Sequence, residues 1–272
     1  MTTYEGLIGA ADDTELFIRK DLPEKAKAVF VFVHGLCEHS GRYEYVAQKF
    51  NQFGYGVYRY DNRGHGKSGG DRGYIDNFLR FVDDADVVVN LAKKDNPGLP
   101  LFILGHSMGG LIAACYGVKY GHKLAGQVLS GALVIELPSM AELKKVDFDA
   151  LRGVKSPNSL ARLICRDEAV VNDYEKDPLV LKETELKLLG EIGIRGPAWL
   201  ARNIKDYACP CLIVHGGADR IVIPEAAKWL YENISSQDKQ LKFYEGLFHE
   251  ILNEKERGTV IGDIHSWVEK RL

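Results

Sequence analysis

The sequence predicts an α/β fold: a mostly parallel, eight-stranded sheet with helices on both faces and a small helical cap insertion. Three observations carry this. Strand-length apolar runs alternate with helical stretches over most of the chain, the pattern of a parallel sheet with crossover helices. The run Ala28 to Val33 (Ala-Val-Phe-Val-Phe-Val) contains no polar residue, as expected where both faces of a strand are covered. The alternation lapses between 133 and 204 and then resumes, so that stretch reads as an insertion between two sheet strands. The expected division is a first core segment, 1–132, a cap or lid, 133–204, and a second core segment, 205–272.

In chain order, Thr3 to Ala10 and Glu15 to Arg19 alternate weakly around Asp12-Asp13 and read as a hairpin. After the strand Ala28 to Val33 comes His34-Gly35-Leu36-Cys37-Glu38-His39, then a helix from Arg42 to Phe53 and a strand from Gly56 to Tyr60. The helix Phe78 to Lys93 is broken by Pro97-Gly98. Leu101 to Leu104 and Ala125 to Leu129 read as strands, with a helix from Gly109 to Tyr120 between them. The insertion has helical character, interrupted by Gly153, Pro157 and Pro178. The alternation then closes with the strand Cys211 to Val214, a helix from Pro224 to Ile234, the strand Gln240 to Tyr244 and a helix from Glu256 to Lys270.

The 272 residues, 46% hydrophobic and 27% charged, suit one large domain with a sizeable core. A net charge of -3 argues against a nucleic-acid partner, which would favour a basic domain. Five cysteines with neither zinc nor thioredoxin spacing read as reduced, buried thiols. The acidic N-terminal stretch lacks the apolar core of a signal peptide, and no run is apolar enough to span a membrane. A soluble, cytoplasmic protein is the expectation.

The chemistry centres on Gly105-His106-Ser107-Met108-Gly109, a Gly-x-Ser-x-Gly pattern between a strand and a helix. That context is a nucleophile elbow, in which small flanking residues let a sharp turn expose the serine. A serine hydroxyl needs a base, an orienting acid and an anion-stabilising pocket. On such a sheet the chain order is Ser, acid, His. Of the later histidines, His122 ends the elbow helix, His265 lies within the last helix, and His215 directly follows a strand. His249, in the loop after the last strand, is the expected base. Asp219, in the turn after Cys211 to Val214, is the expected acid, with Glu136 as runner-up. The expected oxyanion donors are the main-chain N–H groups of Met108 and of Leu36, with Gly35 permitting the bend. Asp61-Asn62-Arg63-Gly64-His65-Gly66 reads as a tight turn with internal charge pairing. Glu38, His39 and Arg42 read as a solvated helix start, with a place at the pocket border as the alternative. No residue set has metal-ligand spacing.

Together His34-Gly35, Glu38-His39-Ser40-Gly41-Arg42-Tyr43, Asp61-x-Arg63-Gly64-His65-Gly66-x-Ser68, Gly105-His106-Ser107-Met108-Gly109-Gly110, Gly217-Ala218-Asp219-Arg220 and Tyr244-Glu245-Gly246-x-x-His249-Glu250 resemble the monoacylglycerol lipase and lysophospholipase branch of the α/β-hydrolases. The resemblance implies an α/β-hydrolase fold with Ser107, Asp219 and His249 as triad and Leu36 and Met108 as oxyanion donors. It also implies a cap, and substrate contacts at His106 and Gly35. It further implies a serine esterase acting on monoacylglycerols or similar small-headgroup acyl esters, with no metal or organic cofactor. The same triad would serve a lysophospholipase, a short-chain or feruloyl-type esterase or a thioesterase, and a non-catalytic binding protein is the reading from another class. Cys37 stands where many members have glycine. The cap carries Glu142, Lys144, Lys145, Asp147, Asp149 and Arg152, where membrane-facing caps are more apolar, leaving at most weak membrane-surface contact. The oligomeric state is not set by the sequence.

Overall fold

Alternate residues of one strand feed two separate cores, and that alternation places everything else. Val29, Val31 and Val33 join one cluster, while Ala28, Phe30 and Phe32 join the other. The computed structural model describes residues 1–272, the side chain of Leu143 excepted. Its strands are β1 (Thr2–Gly9), β2 (Glu15–Leu22), β3 (Ala28–Val33), β4 (Tyr55–Tyr60), β5 (Leu101–His106), β6 (Gly126–Ser130), β7 (Lys155–Pro157), β8 (Glu183–Glu185), β9 (Cys211–Gly216) and β10 (Lys239–Tyr244). Eight of these form one sheet, in the order β1-β2-β4-β3-β5-β6-β9-β10. Pairing is parallel from β4 to β10, while β2 runs antiparallel to both β1 and β4.

Helices α1 (Glu44–Gln52), α2 (Leu79–Asp95) and α3 (Met108–Tyr120) follow β3, β4 and β5. α4 (Ala161–Ile164), α5 (Glu168–Lys176), α6 (Leu186–Gly190) and α7 (Gly196–Asn203) lie between β6 and β9, and α8 (Glu225–Asn233) and α9 (Arg257–Glu269) come after β9 and β10. Phe81 and Val88 of α2, Leu111 of α3, Leu200 of α7 and Leu230 of α8 cover one face of the sheet. Val46 and Phe50 of α1 and Ile261, Ile264 and Trp267 of α9 cover the other. Both faces are therefore dry, which is why β3, β4, β5, β6 and β9 are buried along their whole length. At the edge, β1 remains largely exposed.

The β6–β9 connection differs from the all-helical expectation. β7 and β8 pair antiparallel, with Lys155 opposite Glu185 and Pro157 opposite Glu183. Three-residue strands carrying charges and a proline have no period to read, so they leave no sequence signal. The segment from Glu191 to Arg195 widens into a π turn between α6 and α7. A small cluster of Ile164, Cys165, Val171, Tyr174 and Val180 gives the connection a core of its own.

The elbow depends on close backbone approach. A Cβ on Gly109 would collide with the carbonyl oxygens of Val33 and His34, and one on Gly105 with the Gly109 carbonyl. Gly262, inside α9, has open space around the same position. Gly109→Ala is therefore expected to destabilise by about 1–3 kcal/mol through overpacking, whereas Gly262→Ala is expected to stabilise by about 0.5–1 kcal/mol. Urea unfolding of both variants checks the pair.

Candidate active site

Ser107 sits where β5 turns into α3, with φ 55° and ψ -118°. A non-glycine residue holds such a conformation only when its surroundings over-determine it. Here the Ser107 N–H donates to Ser130 O (3.0 Å), and the Ser107 carbonyl accepts from Leu111 N and Leu133 N (both 3.1 Å). The residue is buried except for a small exposed area. Met108 opens α3, so its N–H is among those a helix leaves unpartnered at its start, on the positive end of the helix dipole.

His249 and Asp219 come from loops after β10 and β9, parallel neighbours in the sheet. Ala218 N–H donates to Leu247 O (2.9 Å) and ties these loops together. His249 Nδ1 lies 2.7 Å from Asp219 Oδ2. The other carboxylate oxygen accepts from Ile221 N (2.8 Å) and Val222 N (3.0 Å). Burial opposes the Asp219 charge, but the His249 charge, its hydrogen bond and the adjacent His215 outweigh it and hold the carboxyl well below its usual range. Burial likewise opposes charge on His249, yet Asp219, with Glu250 and Glu38, raises its pKa above the ordinary value. The His249 ring packs 4.6 Å, centroid to centroid, from His106, the residue before Ser107. It also lies against Gly131, next to the Ser130 carbonyl that holds the Ser107 N–H. His106 Nδ1 is 3.1 Å from Ser130 O. Burial and the neighbouring His249 push His106 down to about 4, so its ring is neutral near pH 7.

The loop after β3 meets the elbow from the other side. A Cβ on Gly35 would press on Ser107 Cβ and the His106 ring. Gly35 N–H is already taken by Glu38 Oε1 (2.6 Å), while the N–H groups of Leu36 and Met108 have no backbone acceptor among the described residues. Cys37 adopts φ 66°, a left-handed conformation that glycine occupies without strain. Burial raises its thiol pKa to about 12.

Glu38, His39 and Arg42 are not a solvated helix start; the structure buries all three side chains almost completely. Arg42 bridges Glu38 Oε2 (2.7 Å) and both oxygens of Glu250 (2.5 and 2.8 Å), and its guanidinium lies 4.7 Å over the Tyr174 ring of α5. Tyr43 OH donates to Glu38 Oε1 (2.8 Å). Burial would raise the Glu38 carboxyl, but the Arg42 charge outweighs it and brings the carboxyl down to about 2. One cation thus joins the β3 loop, the residue after His249 and the β6–β9 connection. His39 Nε2, 2.8 Å from Asp177 Oδ2, and Leu181 N–H, donating to Cys37 O (2.9 Å), add two further ties to that connection. The signal for this network was the pair of acids and the arginine flanking the two loops, but their partners lie 208 residues apart in the chain.

The turn after β4 is tight, yet its charges do not pair internally. Asp61 accepts from the backbone N–H groups of Ser40 and Lys67 (both 2.7 Å), while Arg63 reaches out to Asp12 and Asp84. Glu136, the alternative acid, pairs with Lys144 instead. His265 bonds Tyr55 OH at 2.7 Å, far from this constellation in the fold. All five cysteines are buried free thiols. Among the described residues no group of three or more His, Cys, Asp or Glu could hold a metal ion, and no helix is long and apolar enough to cross a membrane.

A family model described as "Serine aminopeptidase, S33" matches residues 24–256. The monoacylglycerol lipase of Mycolicibacterium smegmatis is 37% identical over 254 residues, covering 90% of this chain and 89% of that one. The monoglyceride lipase of Homo sapiens is 35% identical over 269 residues, covering 96% and 89%. Of the solved structures, the monoacylglycerol lipase of Paleococcus ferrophilus superposes with a TM-score of 0.83 at 29% identity, with both chains covered in full.

Replacing Arg42 leaves two buried carboxylates without a counter-charge. Arg42→Gln is expected to cost about 3–5 kcal/mol at neutral pH. In the wild type, Glu38 ionises below its unfolded pKa, so its stabilisation is present above that value and lost as pH falls towards 2. The variant should show the opposite sign, because its stranded carboxylates gain protons on folding. Thermal unfolding at pH 7 and at pH 5 checks this: the deficit should shrink at the lower pH.

Proposed function

The chain belongs to the serine aminopeptidase S33 family and is a serine carboxylester hydrolase of the α/β-hydrolase fold, and from that membership we propose that Ser107, Asp219 and His249 are its catalytic triad. The observation that carries the assignment is the 2.7 Å bond from His249 Nδ1 to Asp219 Oδ2, on an imidazole that packs against the residue preceding the strained Ser107. Asp219 holds the tautomer with its hydrogen on Nδ1, leaving Nε2 to take the Ser107 proton. Ser107 Oγ then attacks the acyl carbonyl. The Leu36 and Met108 N–H groups receive the developing oxyanion, helped by the α3 dipole. His249 returns the proton to the leaving alcohol, and water releases the acyl group by the same steps in reverse. No step draws on a cofactor.

The preferred substrate class is a monoacylglycerol or a similar ester with a small uncharged headgroup, as the names of the relatives suggest. Charge on the site's own residues supports this. Besides Asp219, the carboxylates acting on His106 and His249 are Glu38 and Glu250, and both are spent on Arg42. They offer no free anion to an aminopeptidase substrate's ammonium group. Arg42 in turn offers no free cation to a phosphate headgroup. His106, neutral near pH 7, is the proposed contact for a headgroup hydroxyl, with Gly35 bordering the acyl carbonyl. Residues 133–204 are the proposed cap, tied to the core through Arg42–Tyr174, His39–Asp177 and Leu181–Cys37.

Ser107→Ala should lower turnover of a p-nitrophenyl ester by at least about a thousandfold without loss of fold; retained turnover would overturn the triad. At equal acyl length, kcat/KM for a monoacylglycerol should exceed that for a lysophosphatidate by about tenfold or more, and the reverse order would overturn the headgroup assignment. Because the His249 pKa is raised and the base must be neutral, the acid limb of kcat/KM should have its midpoint above about pH 6.5. A pH–rate profile with the same ester checks that sign.

A further inference from the structure

Behind the acid stands a second imidazole that the mechanism above does not use. His215 lies near the C-terminal end of β9 and is fully buried. Its Nε2 is 2.8 Å from Val222 O and 3.2 Å from Asp219 Oδ2, the same oxygen that receives His249. A backbone carbonyl only accepts, so the His215 hydrogen must be on Nε2. Nδ1 is buried without a partner, and a hydrogen there would have no acceptor. The ring is thus fixed with its N–H on Val222 O and beside the carboxylate oxygen that faces His249. Its bond to Val222 O also closes the loop bearing Asp219 onto the strand, since Val222 N donates to Asp219 Oδ1 from the same residue.

We propose that His215 is a positioning residue for the acid–base pair: its Nε2–H pins the Asp219 loop and shares the carboxylate oxygen that faces His249. The inference rests on the triad reading given above. An oxygen already near one N–H is a weaker acceptor for a second, so Asp219 supports the charged form of His249 less than it would alone. His215 thereby sets where the base titrates. The other groups acting on His249 come from separate elements: Glu38 from the loop after β3, His106 from the end of β5, and Glu250 from its own loop. None of them touches His215 among the contacts that fix its ring.

The test compares wild type, His215→Phe and His215→Gln, each normalised to the sites labelled by a fluorophosphonate. His215→Phe removes the donor and keeps a ring. The acid limb of its kcat/KM profile is expected to move up by about half a pH unit with KM little changed. His215→Gln presents an amide N–H and is expected to bring the midpoint back towards the wild-type value. An unchanged midpoint in His215→Phe overturns the proposal, because a purely structural role would lower the labelled fraction and leave the profile of the remainder in place. If His215→Phe fails to fold, imidazole nitrogen NMR of the wild type decides. His215 should carry its hydrogen on Nε2, the nitrogen that faces the Val222 carbonyl, and a His215 that carries it on Nδ1 overturns the inference. A wild-type acid limb that does not coincide with the His249 titration overturns the triad reading instead, so the two failures are distinguishable.

Discussion

Close approach of backbone to backbone at the β5–α3 turn is the constraint on which the site rests. Ser107 occupies a conformation that costs of order 1–3 kcal/mol in an unsupported chain. It persists because α3 starts almost against the end of β3, an approach possible only where Gly105 and Gly109 carry no side chain. The same packing brings the β3 loop onto Ser107, where the first N–H of α3 has no backbone acceptor among the described residues. The strain at Ser107 and the approach of the β3 loop are two consequences of one steric fact.

Around that turn the charges are arranged so that few are free. Arg42 sits between Glu38 and Glu250, and Asp219 accepts from two backbone N–H groups and the His249 imidazole, with His215 Nε2 3.2 Å from Oδ2. A buried charge left alone is costly, so each is held by partners from a different segment. The effect is mechanical as well as electrostatic. Arg42 and Glu250 connect the β3 loop to the loop carrying His249, while Tyr174, Asp177 and Leu181 bring the β6–β9 connection onto the same spot. The carboxylates around His106 and His249 are therefore already partnered within the protein.

Several parts of this arrangement were legible in the letters of the chain. The strand–turn–helix context of Gly105 to Gly109 is local, and local sterics produce it directly. Sheet strands announced themselves as unbroken apolar runs because both faces are covered. That His249 and Asp219 would lie near each other could be anticipated from their places after strands, and they do meet, because β9 and β10 are parallel neighbours. The partners of buried charges were not legible. Glu38 and Arg42 have the composition of a solvated helix start, and Arg63 looks like a partner for Asp61 until the fold supplies Asp12 and Asp84. The β7–β8 ladder left no pattern, since three residues per strand cannot establish a period.

Local sequence sufficed for the periodicity of the longer elements, the glycines that permit the elbow, and the presence of residue types suited to acyl transfer, because these follow from covalent geometry and from burial along a short stretch. Tertiary structure alone decided which charge meets which, that a single carboxylate oxygen lies beside two imidazoles, and that one arginine joins three distant segments. Those outcomes depend on distances between residues far apart in the chain, and such distances exist only once the sheet has brought its C-terminal edge together.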